Sequence, residues 1–291
     1  MDVGERAFVG NSALLDAGTY VDQGALIAVM SRAPTSVAAQ SSWLGSPSIE
    51  IPRTRQEGPV AATYQPPARL KVARGSVEAI RGLLPATITV VITECVVASL
   101  DWIGTNSNVT TLILASPLVL GLAAGAAWAL TVLVKWLVCG RYKPGLHPLW
   151  SHYVWRTELV NAMHEHVAGT WLTPYVIGTE VFNSYLRSMG TRVGNDVWCD
   201  SWSITEFDLV DLDDGVSISQ DCDIQTHLFH DRMMSVGPVK IGAGSTIGVD
   251  AVVLPEAVLG QNVMIGSKSL VMRGESLASG TSWQGVPIVG T

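Results

Sequence analysis

The block Gln225-Thr226-His227-Leu228-Phe229-His230-Asp231-Arg232 gathers the residue types that acyl transfer needs. Moving an acyl group from a thioester to an amine or hydroxyl requires a base for the nucleophile's proton, and imidazole titrates near neutrality. His227 is the candidate base. Asp231 or Gln225 is the candidate partner that fixes its tautomer, with backbone N–H groups of a neighbouring coil to hold the oxyanion. The competing reading is a histidine that only closes loop hydrogen bonds. His227 and His230, with Asp231 alongside, also raise zinc, but the spacing is weak and no thiol accompanies it, so no metal is expected. His164 and His166 stand two apart in a helical stretch and point to different sides, so solvated or interfacial roles are expected for them rather than a ligand pair.

The elements that must position this block are set by a period of six. One ladder runs Val239, Ser245, Ala251, Ala257, Val263, Ser269, and a second, two residues later, runs Ile241, Ile247, Val253, Leu259, Ile265, Val271 and on through Leu277, Trp283 and Val289. No α-helix or ordinary sheet has that period. It predicts a left-handed parallel β-helix, a solenoid of hexapeptide repeats, with Gly242, Gly248, Gly260 and Gly266 easing left-handed corners. Leu212, Ile218 and Ile224 carry the step backwards, as do Ile204, Val210, Val216, Cys222 and Leu228, so the coil starts near Val193. The ladder breaks between Leu228 and Val239, where a polar, titratable loop is expected to leave the prism.

The same grammar opens the chain. Val3, Val9, Leu15, Val21 and Ile27 are six apart, each preceded two positions earlier by Met1, Ala7, Ala13, Thr19 or Ala25. A solenoid without a capping element before Met1 implies an exposed apolar coil end unless another unit stacks on it. Ser42-Trp43-Leu44-Gly45-Ser46-Pro47 echoes Ser282-Trp283-Gln284-Gly285-Val286-Pro287, each closing a solenoid section. The predicted organisation is a truncated β-helix over 1–52, a linker over 53–79 rich in Arg53, Arg55, Glu57, Gly58, Pro59, Pro66 and Pro67, a helical hairpin over 80–140, an amphipathic segment over 141–190, and the main β-helix over 191–291.

From Ile103 to Val134 no residue is charged, more than the ~20 residues a spanning helix needs. The second span is placed at about 109–134, with Gly121 and Gly125 at the spacing that lets helices approach. The first, at about 83–103, contains Glu94, which should face a neighbouring helix or be protonated. Arg69, Lys71, Arg74 and Arg81 precede the hairpin and Lys135, Arg141 and Lys143 follow it, while the turn between has no Lys or Arg. Both flanks, and so both solenoid pieces, are expected on the cytoplasmic side of the membrane. In the next segment Trp155, Leu159, Met163 and Val167 form an apolar stripe opposite Arg156, Asn161 and Glu165, suited to the membrane interface or to the solenoid.

Composition narrows the classes further. The chain has 291 residues, is 48% hydrophobic and carries a formal net charge of -7, with no basic cluster outside the membrane flanks, which argues against nucleic acid as a partner. Cys95, Cys139, Cys199 and Cys222 form no C-x-x-C pair, and no disulfide is expected. No P-loop or dinucleotide fingerprint occurs.

Several blocks together carry a family resemblance. Trp155-Arg156-Thr157-Glu158-Leu159, Ile204-Thr205-Glu206-Phe207-Asp208-Leu209-Val210, Gln225-Thr226-His227-Leu228-Phe229 with Asp231-Arg232, and Leu270-Val271-Met272 with Gly274-Glu275 resemble the C-terminal region of poly-lysine-synthetase-type nonribosomal peptide synthetases. There, membrane helices alternate with tandem hexapeptide-like domains that follow adenylation and carrier domains. The resemblance implies amide formation between amino-acid units, a phosphopantetheine-linked thioester on a carrier or CoA as donor, no tightly bound cofactor, and partnership with carrier and adenylation domains. It also implies a homo-oligomer or a pseudo-trimer completed by further β-helix domains. In hexapeptide acyltransferases the turn that matches Trp283, Gly285 and Pro287 lies near the bound thioester, so these three are the expected donor contacts. The chain has no adenylation domain or carrier serine motif, which implies a part of a larger synthetase or a split partner. The expectation is an acyltransferase-like module with His227 as base; the rival is a non-catalytic scaffold that organises a pseudo-trimeric assembly at the membrane. A third reading, polymer export through the helices, would depend on Glu94.

Overall fold

Residues six apart turn inward together, and 18 residues complete one three-sided coil, so each strand pairs in parallel with the strand one coil later. In the computed structural model, which describes residues 1–53, 55, 56 and 58–291 and leaves linker residues Thr54 and Glu57 outside the described residues, this register is regular: Ile241 pairs with Leu259, Ile247 with Ile265 and Val253 with Val271. Val239, Ser245, Ala251, Ala257, Val263 and Ser269 are all buried, as are Ile241 to Leu277 on the second ladder. The fold is a left-handed parallel β-helix in two pieces. The ladder ends earlier than the spacing suggests: Val289 pairs antiparallel with Gln284 and is 62% exposed.

The corner glycines act differently from expectation. Residues with left-handed backbone recur every six positions at Gly244, Asp250, Glu256, Asn262, Lys268, Gly274 and Gly280. Gly242 and Gly248 are not among them. A Cβ at Gly248 would stand 2.6 Å from the backbone nitrogen of Ser267, and one at Gly242 2.6 Å from the backbone of Gly260. These glycines are required by the close approach of stacked coils, not by φ.

Between the solenoids the chain makes α1 (Ala68–Asn106) and α2 (Val109–Val138). Helix therefore begins inside the stretch read as linker. Both contain windows of mean hydropathy 2.0 that stay largely exposed. The face of α2 that is covered carries Ala123, Ala127, Thr131 and Lys135, one helical turn apart; Gly121 and Gly125 look onto open space. Glu94 is exposed rather than packed on α2. After β1 (Gly145–Pro148) come α3 (His152–Met163), a π-helical turn His164–Ala168 and α4 (Glu180–Met189). Trp155, Met163 and Val167 are buried by packing, and α4 seals the end of the main solenoid through Phe182, Tyr185, Leu186 and Met189. His164 is buried too, bonded to the Tyr185 hydroxyl at 2.8 Å and the Trp202 carbonyl at 3.0 Å. It is a core histidine, held neutral by burial, and not the solvated one expected; His166 is exposed.

The break in the ladder is a β-hairpin arm. β2 (His227–His230) and β3 (Met233–Val236) pair antiparallel, and β3 pairs on its far side with β1. Asp231 and Arg232 both adopt left-handed backbone, the geometry of a two-residue I′ turn. The coil-to-coil offset rises from 18 residues to 29 where Val210 meets Val239, so the arm is an insertion of 11 residues in one coil.

The two solenoids lie side by side. Val29 and Leu44 of the first pack with Val252, Leu254 and Leu270 of the second. Their Ser-Trp-x-Gly-x-Pro turns meet at the seam, where the Ser46 N–H donates to the Val286 carbonyl at 3.2 Å.

Candidate functional site

His227 stands at the root of the hairpin arm, and its partner is Glu206. His227 Nδ1 lies 2.7 Å from Glu206 Oε2. The isolated parallel bridge Ile204 to Ile224 sets the register, an offset of 20 that puts Glu206 opposite Thr226. The Thr226 hydroxyl donates to the same Oε2 at 2.6 Å. Glu206 is fully buried, and its backbone is left-handed, φ 38°, at a position outside the six-residue corner series. A non-glycine residue there costs ~1–3 kcal/mol and persists where the surroundings over-determine it. Its other oxygen, Oε1, is buried with no partner among the described residues.

The two groups hold each other charged. Burial alone would push the His227 pKa down, but the Glu206 carboxylate outweighs it and the net shift is upward. Burial would likewise push Glu206 up, yet His227 and the threonine hydroxyls hold it below the usual carboxylate range. With Nδ1–H given to the carboxylate, Nε2 is the atom left to exchange protons. The His227 side chain remains 20% exposed. Phe229 meets the imidazole edge-on at 5.2 Å between ring centres.

Neither of the partners expected from the sequence holds His227. Asp231, at the tip of the arm, is bound by Arg53 at 2.6 Å and by the Gln56 N–H at 3.0 Å. The Gln225 amide donates to Asp223 at 2.9 Å. Both were placed by closeness in sequence, whereas the coil brings in a carboxylate from one turn earlier. Trp283, Gly285 and Pro287 form the terminal cap: the Trp283 indole donates to Thr281 and the Gly285 N–H to Ser269. None of the three lines the cavity in the seam. That cavity, about 330 Å³, lies between the solenoids and is walled by Phe8, Leu26, Val29, Leu228, Phe229 and His230, with further apolar residues and Arg53 and Arg273. Phe229 thus both walls the cavity and touches the His227 ring.

Two residues after Glu206, Asp208 ties the site to α2. It accepts from Lys135 Nζ at 2.8 Å and from the Tyr142 N–H at 3.2 Å, and Lys135 is fully buried at the end of α2. Sequence reasoning missed both Glu206 and this link, although Glu206 lies within the Ile204–Val210 block that carries the family resemblance. The solenoid register was the signal that could have found it.

A parallel β-helix of hexapeptide coils, with a buried His–Glu pair where one coil opens, places the chain among the left-handed β-helix, hexapeptide-repeat proteins. Its sequence is 33% identical over 292 residues to Delta-poly-L-ornithine synthetase of Acinetobacter baumannii (strain AB307-0294), covering 99% of this chain and 22% of that protein. The resemblance to poly(amino acid) synthetases seen in the Trp155, Glu206, His227 and Met272 blocks therefore extends along nearly the whole chain, which spans about a fifth of the length of this curated relative. No protein-family model matches. Among solved structures, serine acetyltransferase of Neisseria gonorrhoeae is 19% identical, with a TM-score of 0.35, covering 69% of this chain and 66% of that one. A maltose O-acetyltransferase from Clostridium difficile 630 is 21% identical, with a TM-score of 0.31 over 36% of this chain and 60% of that one. The N-acyltransferase AntD from Bacillus cereus, solved with dTDP and coenzyme A, is 20% identical, with a TM-score of 0.26 over 28% of this chain and 50% of that one.

Proposed function

We propose that this chain is the amide-forming, acyltransferase-like part of a membrane-anchored nonribosomal synthetase that joins amino-acid units, as the relative's name describes for ornithine. The donor is an aminoacyl thioester on a phosphopantetheine arm, and the acceptor is the free amine of another unit. The amine nitrogen attacks the thioester carbonyl and forms the C–N bond. His227 Nε2 takes the proton released from that nitrogen, while Glu206 holds Nδ1–H and stabilises the imidazolium. As the tetrahedral intermediate collapses, the C–S bond breaks and the imidazolium returns its proton to the departing sulfur. Carrier and adenylation units outside this chain would supply the donor, and a third prism beside the two seen here would complete a pseudo-trimer.

The observation that carries this reading is the 2.7 Å contact between His227 Nδ1 and the fully buried Glu206. A histidine that only closed a loop has no need of a buried carboxylate in strained backbone. The test supplies purified protein, with its adenylation and carrier partners, with donor and amine. His227→Ala should lower product formation by roughly 10² or more, assayed well below the variant's own melting temperature, which should itself fall because the buried Glu206 loses its partner. Unchanged product formation would leave the scaffold reading in its place.

The membrane anchor is part of the same proposal. The apolar windows of α1 and α2 are only 11% and 17% buried, whereas the core helix of a water-soluble domain hides its apolar face.

A further inference from the structure

The chain carries a net charge of -7, yet four arginines gather on one concave surface. Two adjoining clefts, about 480 and 490 Å³, open between the start of the first solenoid, the linker and the tip of the β2–β3 arm. Arg6, Arg53, Arg55 and Arg232 line them, against the carboxylates of Glu5 and Asp231. Asp231 is taken by Arg53 at 2.6 Å, and Glu5 sits 3.6 Å from Arg6 Nε. Tyr64 fixes two of the cations: the Arg6 guanidinium lies 4.7 Å from its ring centre and that of Arg232 5.2 Å. Such stacking occupies the guanidinium faces and not their edges; Arg232 gives one N–H to the Thr63 carbonyl at 3.4 Å and keeps others to donate. The Arg53 side chain is 9% exposed, and its Nε is a buried donor with no partner among the described residues. Buried donors are nearly always satisfied, so an unsatisfied one in the wall of a basic cleft points to an acceptor that arrives from outside.

We propose that this cleft binds the phosphate ester of the acyl donor's carrier arm, with Arg53 as its buried contact and Arg6 and Arg232 as its two stacked ones. Planar guanidinium groups suit the bidentate oxygens of a phosphate, and a cationic amine acceptor is disfavoured there. The position fits an arm that continues inward, because Arg53 also borders the apolar cavity of the seam, and that cavity reaches Phe229 beside His227. Charge would hold the phosphate at the mouth and apolar contact would hold the chain behind it. The assignment of the phosphate to a donor rests on the acyl-transfer reading; the anion site itself does not.

The test measures equilibrium binding of 4′-phosphopantetheine, pantetheine and monomeric dihexanoyl-phosphatidylglycerol to the detergent-solubilised chain. A double variant, Arg6→Gln with Arg232→Gln, spares both Arg53–Asp231 and Glu206–His227, and its melting temperature checks that it folds. The expected result is at least tenfold tighter binding of 4′-phosphopantetheine than of pantetheine, a preference that weakens as salt rises and is lost in the double variant. Equal binding of the two, or a preference that survives in a folded double variant, overturns the site. Tighter, arginine-dependent binding of the phospholipid overturns the donor assignment and makes the cleft a headgroup site. None of these readouts needs turnover, so failure of the catalytic reading would show separately, as absent transfer with binding intact.

Discussion

At the scale of single residues, the site is one imidazole and one carboxylate whose charges depend on each other. His227 must be neutral at Nε2 to act as a base, and its pKa lies above the ordinary 6.5 because Glu206 outweighs the effect of burial. The rate should therefore rise with pH through a midpoint above 6.5. In Glu206→Gln the raising charge is gone and burial remains, so the midpoint should move to more acid pH. The maximum should fall by roughly 10² or more, since a neutral amide no longer stabilises the imidazolium and can turn its N–H toward Nδ1, selecting the wrong tautomer. An amine that merely deprotonates with rising pH would keep its midpoint in the variant, so an unmoved profile would remove His227 from the mechanism. The residue types were legible in the sequence and the pairing was not. His227 stood out because it sits where a ladder of six breaks, but its partner lies 21 positions earlier, and only the coil's register, not the neighbourhood of Asp231 and Gln225, brings it near.

At the scale of elements, a six-residue period fixes three-sided coils because it dictates which side chains face inward, and that much is readable from Val239 to Val271. What holds the coils at their spacing is less readable, because a glycine needed for φ and a glycine needed for close approach look alike in a sequence. Gly248 and Gly274 separate the two. Gly248→Ala puts a methyl group 2.6 Å from rigid backbone and should cost more than the ~1–3 kcal/mol of ordinary overpacking. Gly274→Ala has open space around it and φ 71°, so only the left-handed penalty of about 1–2 kcal/mol applies. Chemical denaturation of the two variants should rank them in that order. The join between α2 and the solenoid follows the logic of a buried ion pair. Lys135→Met leaves Asp208 without its cation and should destabilise by about 3–5 kcal/mol. Adding Asp208→Leu should recover part of that loss, whereas additive losses in the double variant would mean the pair is not coupled.

At the scale of the whole molecule, the hairpin α1–α2 and the two prisms must share one frame, since contacts at both ends of the hairpin reach the same body. Arg74 on α1 lies 2.5 Å from Glu158 of α3, and Lys135 at the end of α2 reaches Asp208 beside the His–Glu pair. The opposite end, the turn at Ser107 and Asn108, has no Lys or Arg within it, and beyond it Leu114, Leu118 and Leu122 project outward at 74%, 66% and 67% exposure. Apolar side chains displayed this way on a helix of 30 residues are stable against lipid and not against water. On the proposed anchoring, two spans with both ends tied to one body would put the Ser107 turn on the far side of the membrane, and the basic flanks would put that body on the cytoplasmic side. With Cys95 and Cys139 replaced by serine, Ser107→Cys should react with a membrane-impermeant maleimide in intact cells, and Ser76→Cys only after the cells are opened. The reverse pattern would turn the prisms outward. Equal protection of both sites until lysis would mean that the helices do not span, and the exposed leucines would then need cover from protein.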